Sequence, residues 1–288
     1  GGGDLITGAD GSIYIAGHTF GDLNGQTNSG SSDIFLSKYN SDGDKIWTRL
    51  LGSNQIDYGG GLTIGTDGSI YISGETKGDL DGQSNSGSTD VFLSKYNSNG
   101  DKVWTRLIGS NNSEFEGGLT TGTGGSIYIA GQTSGDLNGQ TNNGSHDAFL
   151  IQYNSDGDKI WTKLLGSNSF DGGRDLTIHA DGSIYLTGDT DGDLDGQTNN
   201  GKRDVFISKF VESLDPETLN NGTQYLLNGI KDYDGNKHGY LGDAPDLVQS
   251  AYKYQGKLDV NNDGTTEAIF TNKESGRWVT ASIDPITG

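Results

Sequence analysis

The chain has no cysteine and no methionine among its 288 residues, and only 3 prolines. Without cysteine there can be no disulfide, no thiolate catalysis and no cysteine-based zinc site. Without methionine there is no initiator, and the chain opens mid-pattern at Gly1, which predicts a piece of a longer or processed protein. No apolar run approaches the ~18 residues of a membrane-spanning helix, and no signal peptide is visible. Positive charge is scarce, and the formal net charge is −20. Nucleic-acid binding needs a basic surface, so that class of partner is excluded. An acidic surface suits a soluble protein in salty, calcium-containing fluid. Apolar residues make up only 30% of the chain, which is low for a helical globule.

What is abundant is glycine, 49 residues, set in a strict period. Trp47, Trp104 and Trp161 stand 57 residues apart. GSIYIAG at 11, GSIYISG at 68, GSIYIAG at 125 and GSIYLTG at 182 keep the same spacing. A fixed period of this size marks a repeat architecture. Each unit carries four apolar segments: a short one around Leu5, Leu62, Leu119 or Leu176, then SIYIAG, then DIFLSKYN, then KIWTRLLG. They are short, rich in Ile, Val, Tyr, Phe and Trp, and bounded by Gly, Asn, Asp and Ser, so they read as strands. Ile13 and Ile15 alternate with Tyr14 and Ala16, so both faces of that strand carry groups to pack. NSDGD at 40–44 and TDG at 66–68 are hairpin turns. Four antiparallel strands repeated in this way predict an all-β fold of β-propeller blades. A β-solenoid is the rival, but its coils lack four tightly turned strands. The fourth unit has no KIWTRLLG segment, which predicts a partial propeller whose ring continues elsewhere.

LLGSNQIDYGGGLTIGTDGSIYISGET (50–76) and DVFLSKYNSNGDKVWTRLIG (90–109) resemble the SBBP repeat, the seven-bladed β-propeller family of bacterial surface and secreted proteins. The chain departs from that pattern in having Gly-Ser where the family often has Gly-Gly. The resemblance covers residues 1–210. It implies fold and says little about chemistry.

The loop GDLNGQTNSGSSD at 21–33 recurs at 78, 135 and 192. Its Gly, Asn and Asp residues fit turns with positive φ, and its last Asp can cap the third strand by accepting backbone N–H bonds. The other reading is calcium, which takes six to eight hard oxygens. Only the fourth copy offers a full acidic run, Asp191, Asp193 and Asp195. Beyond the repeats, 211–228 reads as a linker and 229–288 as the start of a small β module. There LDVNNDGTTEAIF (258–270) sets Asp259, Asn261 and Asp263 at alternate positions, with the Thr265 carbonyl and Glu267 in register for one calcium ion. Phe270 stands where an EF-hand needs its glutamate. The stretch instead resembles the calcium loops of FG-GAP and VCBS-like repeats, and the tail as a whole resembles a module of large cyanobacterial secreted repeat proteins. A plain Asx turn is the bland alternative.

No catalytic motif is present. There is no G-x-S-x-G, phosphate loop or H-E-x-x-H, and the four histidines are scattered. One position of the repeat does vary in a way that suits ligand recognition: His18, Glu75, Gln132 and Asp189. Arg49, Arg106 and Lys163 share a position beside tryptophan, which predicts cation–π or inter-blade contacts. The reading that follows is a non-enzymatic extracellular or cell-surface module for adhesion, binding or scaffolding, with calcium as cofactor and a glycan or protein as partner. The alternative is an accessory propeller of a secreted hydrolase whose catalytic part lies outside these residues.

Overall fold

The computed structural model describes residues 2–179 and 182–210 and, beyond these, the strand backbones of 225–232, 237–238, 252–258, 267–272 and 278–285. It divides into two compact units, Gly1–Phe210 and Val211–Gly288. No α-helix occurs among the described residues.

The first unit is a run of four antiparallel sheets. The first sheet holds β1 (Gly2–Thr7), β2 (Ile13–Thr19), β3 (Asp33–Tyr39) and β4 (Lys45–Leu51) in sequence order. The second holds β5 (Asp57–Ile64), β6 (Ile70–Thr76), β7 (Asp90–Tyr96) and β8 (Lys102–Ile108). The third holds β9 (Glu114–Thr121), β10 (Ile127–Thr133), β11 (Asp147–Tyr153) and β12 (Lys159–Leu165). The fourth has three strands, β13 (Asp171–Ile178), β14 (Ile184–Thr190) and β15 (Asp204–Phe210). The SIYIAG strands are internal and the KIWTRLLG strands are outermost, as the repeat predicts.

Turn chemistry fixes the register of each meander. At 40–44 the N–H of Asn40 reaches the Asp44 carbonyl at 2.9 Å, and the Asn40 side-chain oxygen accepts from the N–H groups of Asp42 and Asp44. Gly43 takes the left-handed φ of +85° that this turn requires.

The cores lie between sheets rather than within them. In β6, Ile70 and Ile72 pack with Tyr14, Ala16, Ile34 and Leu36 of the preceding blade. Tyr71, one residue out of phase, packs with Ile127 and Ile129 of the following blade. A strand alternates its side chains with period 2, so a blade held between two neighbours must be apolar on both faces. The fourth blade shows what an uncovered face exposes. Val205 and Ile207 are 83% and 72% exposed, whereas their counterparts Val91 and Leu93 are fully buried. The innermost strands approach so closely that only glycine fits: a Cβ on Gly117 would lie 2.4 Å from the Gly173 carbonyl oxygen.

The second unit is one five-stranded antiparallel sheet, order β17-β16-β20-β19-β18, from β16 (Tyr225–Asp232), β17 (Lys237–His238), β18 (Tyr252–Leu258), β19 (Glu267–Asn272) and β20 (Trp278–Pro285). Strand β16 begins inside the 211–228 stretch read as linker, so the sheet starts earlier than the sequence suggested. Strands β18 and β19 are paired with Leu258 opposite Glu267. Asp259, Asn261, Asp263 and Thr265 lie between them, outside the described residues, as does the side chain of Glu267.

Candidate functional site

The repeated 13-residue loop is a structural part. Asn24, Asp81, Asn138 and Asp195 all adopt left-handed φ between 49° and 54°, each followed by a glycine with positive φ. Leu23 and Gln26 close this tight turn by exchanging both backbone bonds at 3.0 Å, and the other three copies do the same. Two successive left-handed residues are the type I′ geometry, which Asn-Gly and Asp-Gly adopt at low cost. The lone apolar residue of the loop anchors it, since Leu80 and Leu137 are fully buried and plug the inter-blade cores. The first acid of the loop is also occupied, because Asp22, Asp79, Asp136 and Asp193 each accept a backbone N–H six residues on, at 2.9 Å.

The acidic run of the fourth copy therefore does not converge on one point. Asp191 is held by Arg203 at 2.7 Å, Asp193 by the N–H of Asn199, and Asp195 occupies the turn. Its Arg203 partner keeps the Asp191 carboxyl below the usual range. Among the described residues, no group of three or more His, Cys, Asp or Glu side chains is placed to hold a metal ion.

The variable position leads somewhere else. His18, Glu75, Gln132 and Asp189 stand next to last in β2, β6, β10 and β14. The first three meet the innermost strand of the following blade. The His18 ring lies edge-on to Tyr58 at 4.9 Å and to Phe20 at 5.4 Å. Phe20 is 69% exposed, so this corner offers an aromatic surface to solvent. Burial lowers the His18 pKa. The Gln132 amide oxygen packs against Gly172, where a Cβ would lie 2.6 Å away. Asp189 has two arginines: Arg174 donates Nε–H to it, and Arg203 reaches it at 3.1 Å. Beside them Phe170 lies under Arg203 at 4.7 Å and against His146 at 5.1 Å.

Glu75 has the most unusual neighbour. It accepts the backbone N–H of Glu116 at 3.3 Å, and the Glu116 carboxylate accepts a hydrogen bond from the Ser73 hydroxyl at 2.8 Å. Burial raises the Glu75 pKa. Burial pushes Glu116 up to about 7, the charges of Glu75 and Asp4 add to the rise, and the Ser73 hydroxyl and Gly61 N–H oppose it. Two carboxyls close enough for the charge of Glu75 to act on Glu116, one of them pushed up to about 7, form the kind of pair where proton transfer is feasible.

Sequence reasoning misses Glu116, Asp4, Arg174, Phe20 and Tyr58. A signal for Glu116 is present, since it replaces glycine at the position of Gly59 and Gly173 in the repeat. Its significance depends on the Glu75 of another blade, 41 residues away. A separate groove of about 550 Å³ runs along β15 beside Lys163, Leu165 and Asp195, where the fourth blade has three strands.

Residues 46–81 match the family model of the SBBP beta-propeller repeat. This segment runs from the outer strand of the first blade through β6, its pattern recurs in the other blades, and the antiparallel sheets of the first unit are those of partial beta-propeller blades. The regulatory protein FlaEY of Caulobacter vibrioides is 31% identical over 206 residues, covering 64% of this chain and 21% of that protein. The chain thus spans about a fifth of that relative's length. Among solved structures, a xylan beta-1,4-xylosidase from Bacillus halodurans C-125 covers 74% of this chain and 42% of its own at 18% identity and TM-score 0.40. A thermostable family-43 glycoside hydrolase covers 99% and 89% at 10% identity and TM-score 0.41. These likenesses are too distant to bear on the chemistry of the site.

Proposed function

We propose that the protein is a non-enzymatic binding scaffold of the cell surface or extracellular space, with a glycan or another protein as its ligand. The observation that carries this reading is the variable position itself. In a frame where neighbouring residues repeat almost unchanged, His18, Glu75, Gln132 and Asp189 differ from one another and stand at equivalent ends of the four blades. Polar groups of different character, with the exposed Phe20 ring beside His18, suit recognition of a ligand with apolar faces and hydrogen-bonding edges. The strands supply rigidity and the varied ends supply specificity. The name of the Caulobacter relative, a regulatory protein, fits a role in binding other proteins.

The test is replacement of His18, Glu75, Gln132 and Asp189 together by alanine. Binding to surface polysaccharides and to immobilised cell-surface proteins should disappear while the melting temperature of the first unit stays within a few degrees of the parent's. Binding that survives in a folded variant would overturn the reading.

A second reading is an accessory propeller of a secreted hydrolase whose catalytic part lies outside these residues. A hydrolase domain encoded beside this stretch in the full-length gene would support it.

A further inference from the structure

Every junction between consecutive blades closes on two buried acids. Isolated parallel bridges tie Ser32 to Ile56, Thr89 to Ser113 and His146 to Phe170. The next residue on each side is acidic, giving the pairs Asp33 and Asp57, Asp90 and Glu114, Asp147 and Asp171. Residues one step beyond a parallel bridge lie side by side on the same face, roughly 5 Å apart at the backbone. Asp33 is 1% exposed, and the other five acids are not exposed at all.

The donors around each pair are unevenly shared. Asp57 accepts from the N–H and hydroxyl of Ser53, at 2.6 and 2.9 Å. Glu114 accepts from the N–H and hydroxyl of Ser110 and from the Thr133 hydroxyl, at 2.7, 2.5 and 2.6 Å. Asp171 accepts from the N–H and hydroxyl of Ser167, at 2.6 and 2.7 Å. On the other side, Oδ2 of Asp33, Asp90 and Asp147 accepts a backbone N–H from Ser29, Ser86 and Asn143. Their Oδ1 atoms are buried and have no hydrogen-bond partner, and neither has Oδ1 of Asp171. Gly52, Gly109 and Gly166 pack directly on these three carboxyls, where a Cβ would lie 2.0 to 2.3 Å from the carboxyl carbon. No side chain at those positions can supply the missing donor.

Two adjacent buried carboxylates repel one another, and a buried acceptor without a donor is costly. One positive charge per junction removes both penalties. We propose that each blade junction holds one shared proton, carried on Oδ1 of Asp33, Asp90 or Asp147 and donated to the acid across the junction. Calcium would need six to eight oxygens. Each junction offers two acidic side chains, and no larger group of metal-binding side chains exists among the described residues. The charged group acting on Asp57, Asp90 and Asp147 is the partner acid, and the neutral groups around the pairs include the hydroxyls of Ser53, Thr76, Ser110, Thr133 and Ser167, the N–H groups of Gly87 and Gly144 and the Asn143 amide. Burial first, and then the partner's charge, raise the pKa of Asp57, Asp90 and Asp147. The proton belongs to the pair rather than to one member of it. Asp204 of the fourth blade keeps the same backbone bond, from Asn200 at 3.0 Å, but is only partly buried. Removal of the proton would loosen all three seams at once, so the arc is built to weaken as pH rises.

The sign follows from linkage. The folded state keeps a proton that the unfolded chain releases near pH 4. Stability is therefore full below that pH and is lost as pH rises through the raised value of the pair. The experiment compares urea unfolding of the full chain, from pH 4 to 9, with that of Asp33→Asn/Asp90→Asn/Asp147→Asn. Each asparagine keeps an acceptor for the backbone N–H and offers a permanent N–H donor in place of the proton. Relative to the variant, the parent's folding constant should fall by about tenfold per pH unit for each junction as the pair titrates, up to about a thousandfold for three. Parallel pH profiles would overturn the proposal. So would a parent midpoint that calcium or sodium raises and a variant midpoint that they do not, since the charge would then be a metal ion. If the triple variant fails to fold, infrared spectra of the parent and of Asp90→Asn decide the matter. A protonated-carboxyl band at neutral pH that weakens in Asp90→Asn supports the shared proton, and its absence from the parent overturns it.

Discussion

Arg49 of the first blade donates its Nε–H to the carbonyl of Gly100 in the hairpin of the second, at 2.8 Å. Its Nη2 reaches the Asn99 carbonyl at 3.2 Å, and its guanidinium lies over Trp47 at 5.3 Å. Gly100 is itself packed on the Trp47 ring, where a Cβ would lie 2.9 Å from the nearest atom. Arg106 repeats the arrangement on Gly157, Asp156 and Trp104 one blade later. Hydrogen bonds from a charged donor contribute about 1.5–3 kcal/mol, and a partly exposed cation–π contact adds about 0.5–1 kcal/mol. Partial exposure reduces the sum, so Arg49→Ala should lower the stability of the first unit by about 1–3 kcal/mol in urea unfolding. Arg49→Lys should recover only part of it, because an ammonium lacks the flat fork that donates to both carbonyls while stacked over the indole.

Two glycines that look alike in the sequence should respond differently. Gly25 has φ of +80° and open space around it. Gly25→Ala should therefore cost only the left-handed strain of about 1–2 kcal/mol. In Gly52→Ala the new Cβ would fall 2.1 Å from the Asp33 carboxyl carbon and must displace a buried acid. The loss there should exceed ~3 kcal/mol or prevent folding, as overpacking at a buried charged group does. Chemical unfolding of the two single variants checks the order.

Glu116 makes a separate pH prediction. It is protonated in the fold up to about pH 7 and ionises near 4.5 when unperturbed. Its contribution to stability is full below the lower value and is lost as pH rises through the higher one. Between about pH 4.5 and 7, the window set by those two values, the parent's melting temperature should fall more steeply than that of Glu116→Gln. Superimposable slopes would show that Glu116 does not titrate in that window.

The loop at 259–267 carries a calcium prediction from its sequence alone. If Asp259, Asn261, Asp263, the Thr265 carbonyl and Glu267 bind one ion, calcium at about 100 times its dissociation constant should stabilise the second unit by about 2.7 kcal/mol. Asp263→Ala should abolish most of that gain and leave the unfolding of the first unit unchanged. Thermal unfolding with calcium and with chelator measures both.

The sequence by itself determined the strands, their order and their turns. The 57-residue period, the alternation of Ile and Tyr in SIYIAG and the Asp-Gly and Asn-Gly turns are local signals, and β1–β15 form where those signals place them. The turn reading of the repeated loop was legible for the same reason, because Asn24–Gly25 asks for left-handed backbone whatever surrounds it. Tertiary structure alone decided which residues of different blades meet. Glu116 owes its raised pKa to burial first and then to the charge of Glu75, against the Ser73 hydroxyl, and Asp191 and Asp193 are each held by their own partner, Arg203 and the N–H of Asn199. The acid pairs at the blade junctions were equally invisible, since Asp33 and Asp57 are 24 positions apart and each fits an ordinary capping role on its own. Periodicity specifies a blade. The electrostatics of a seam arise only when two blades bury their edges against each other and leave fewer donors than the acids require.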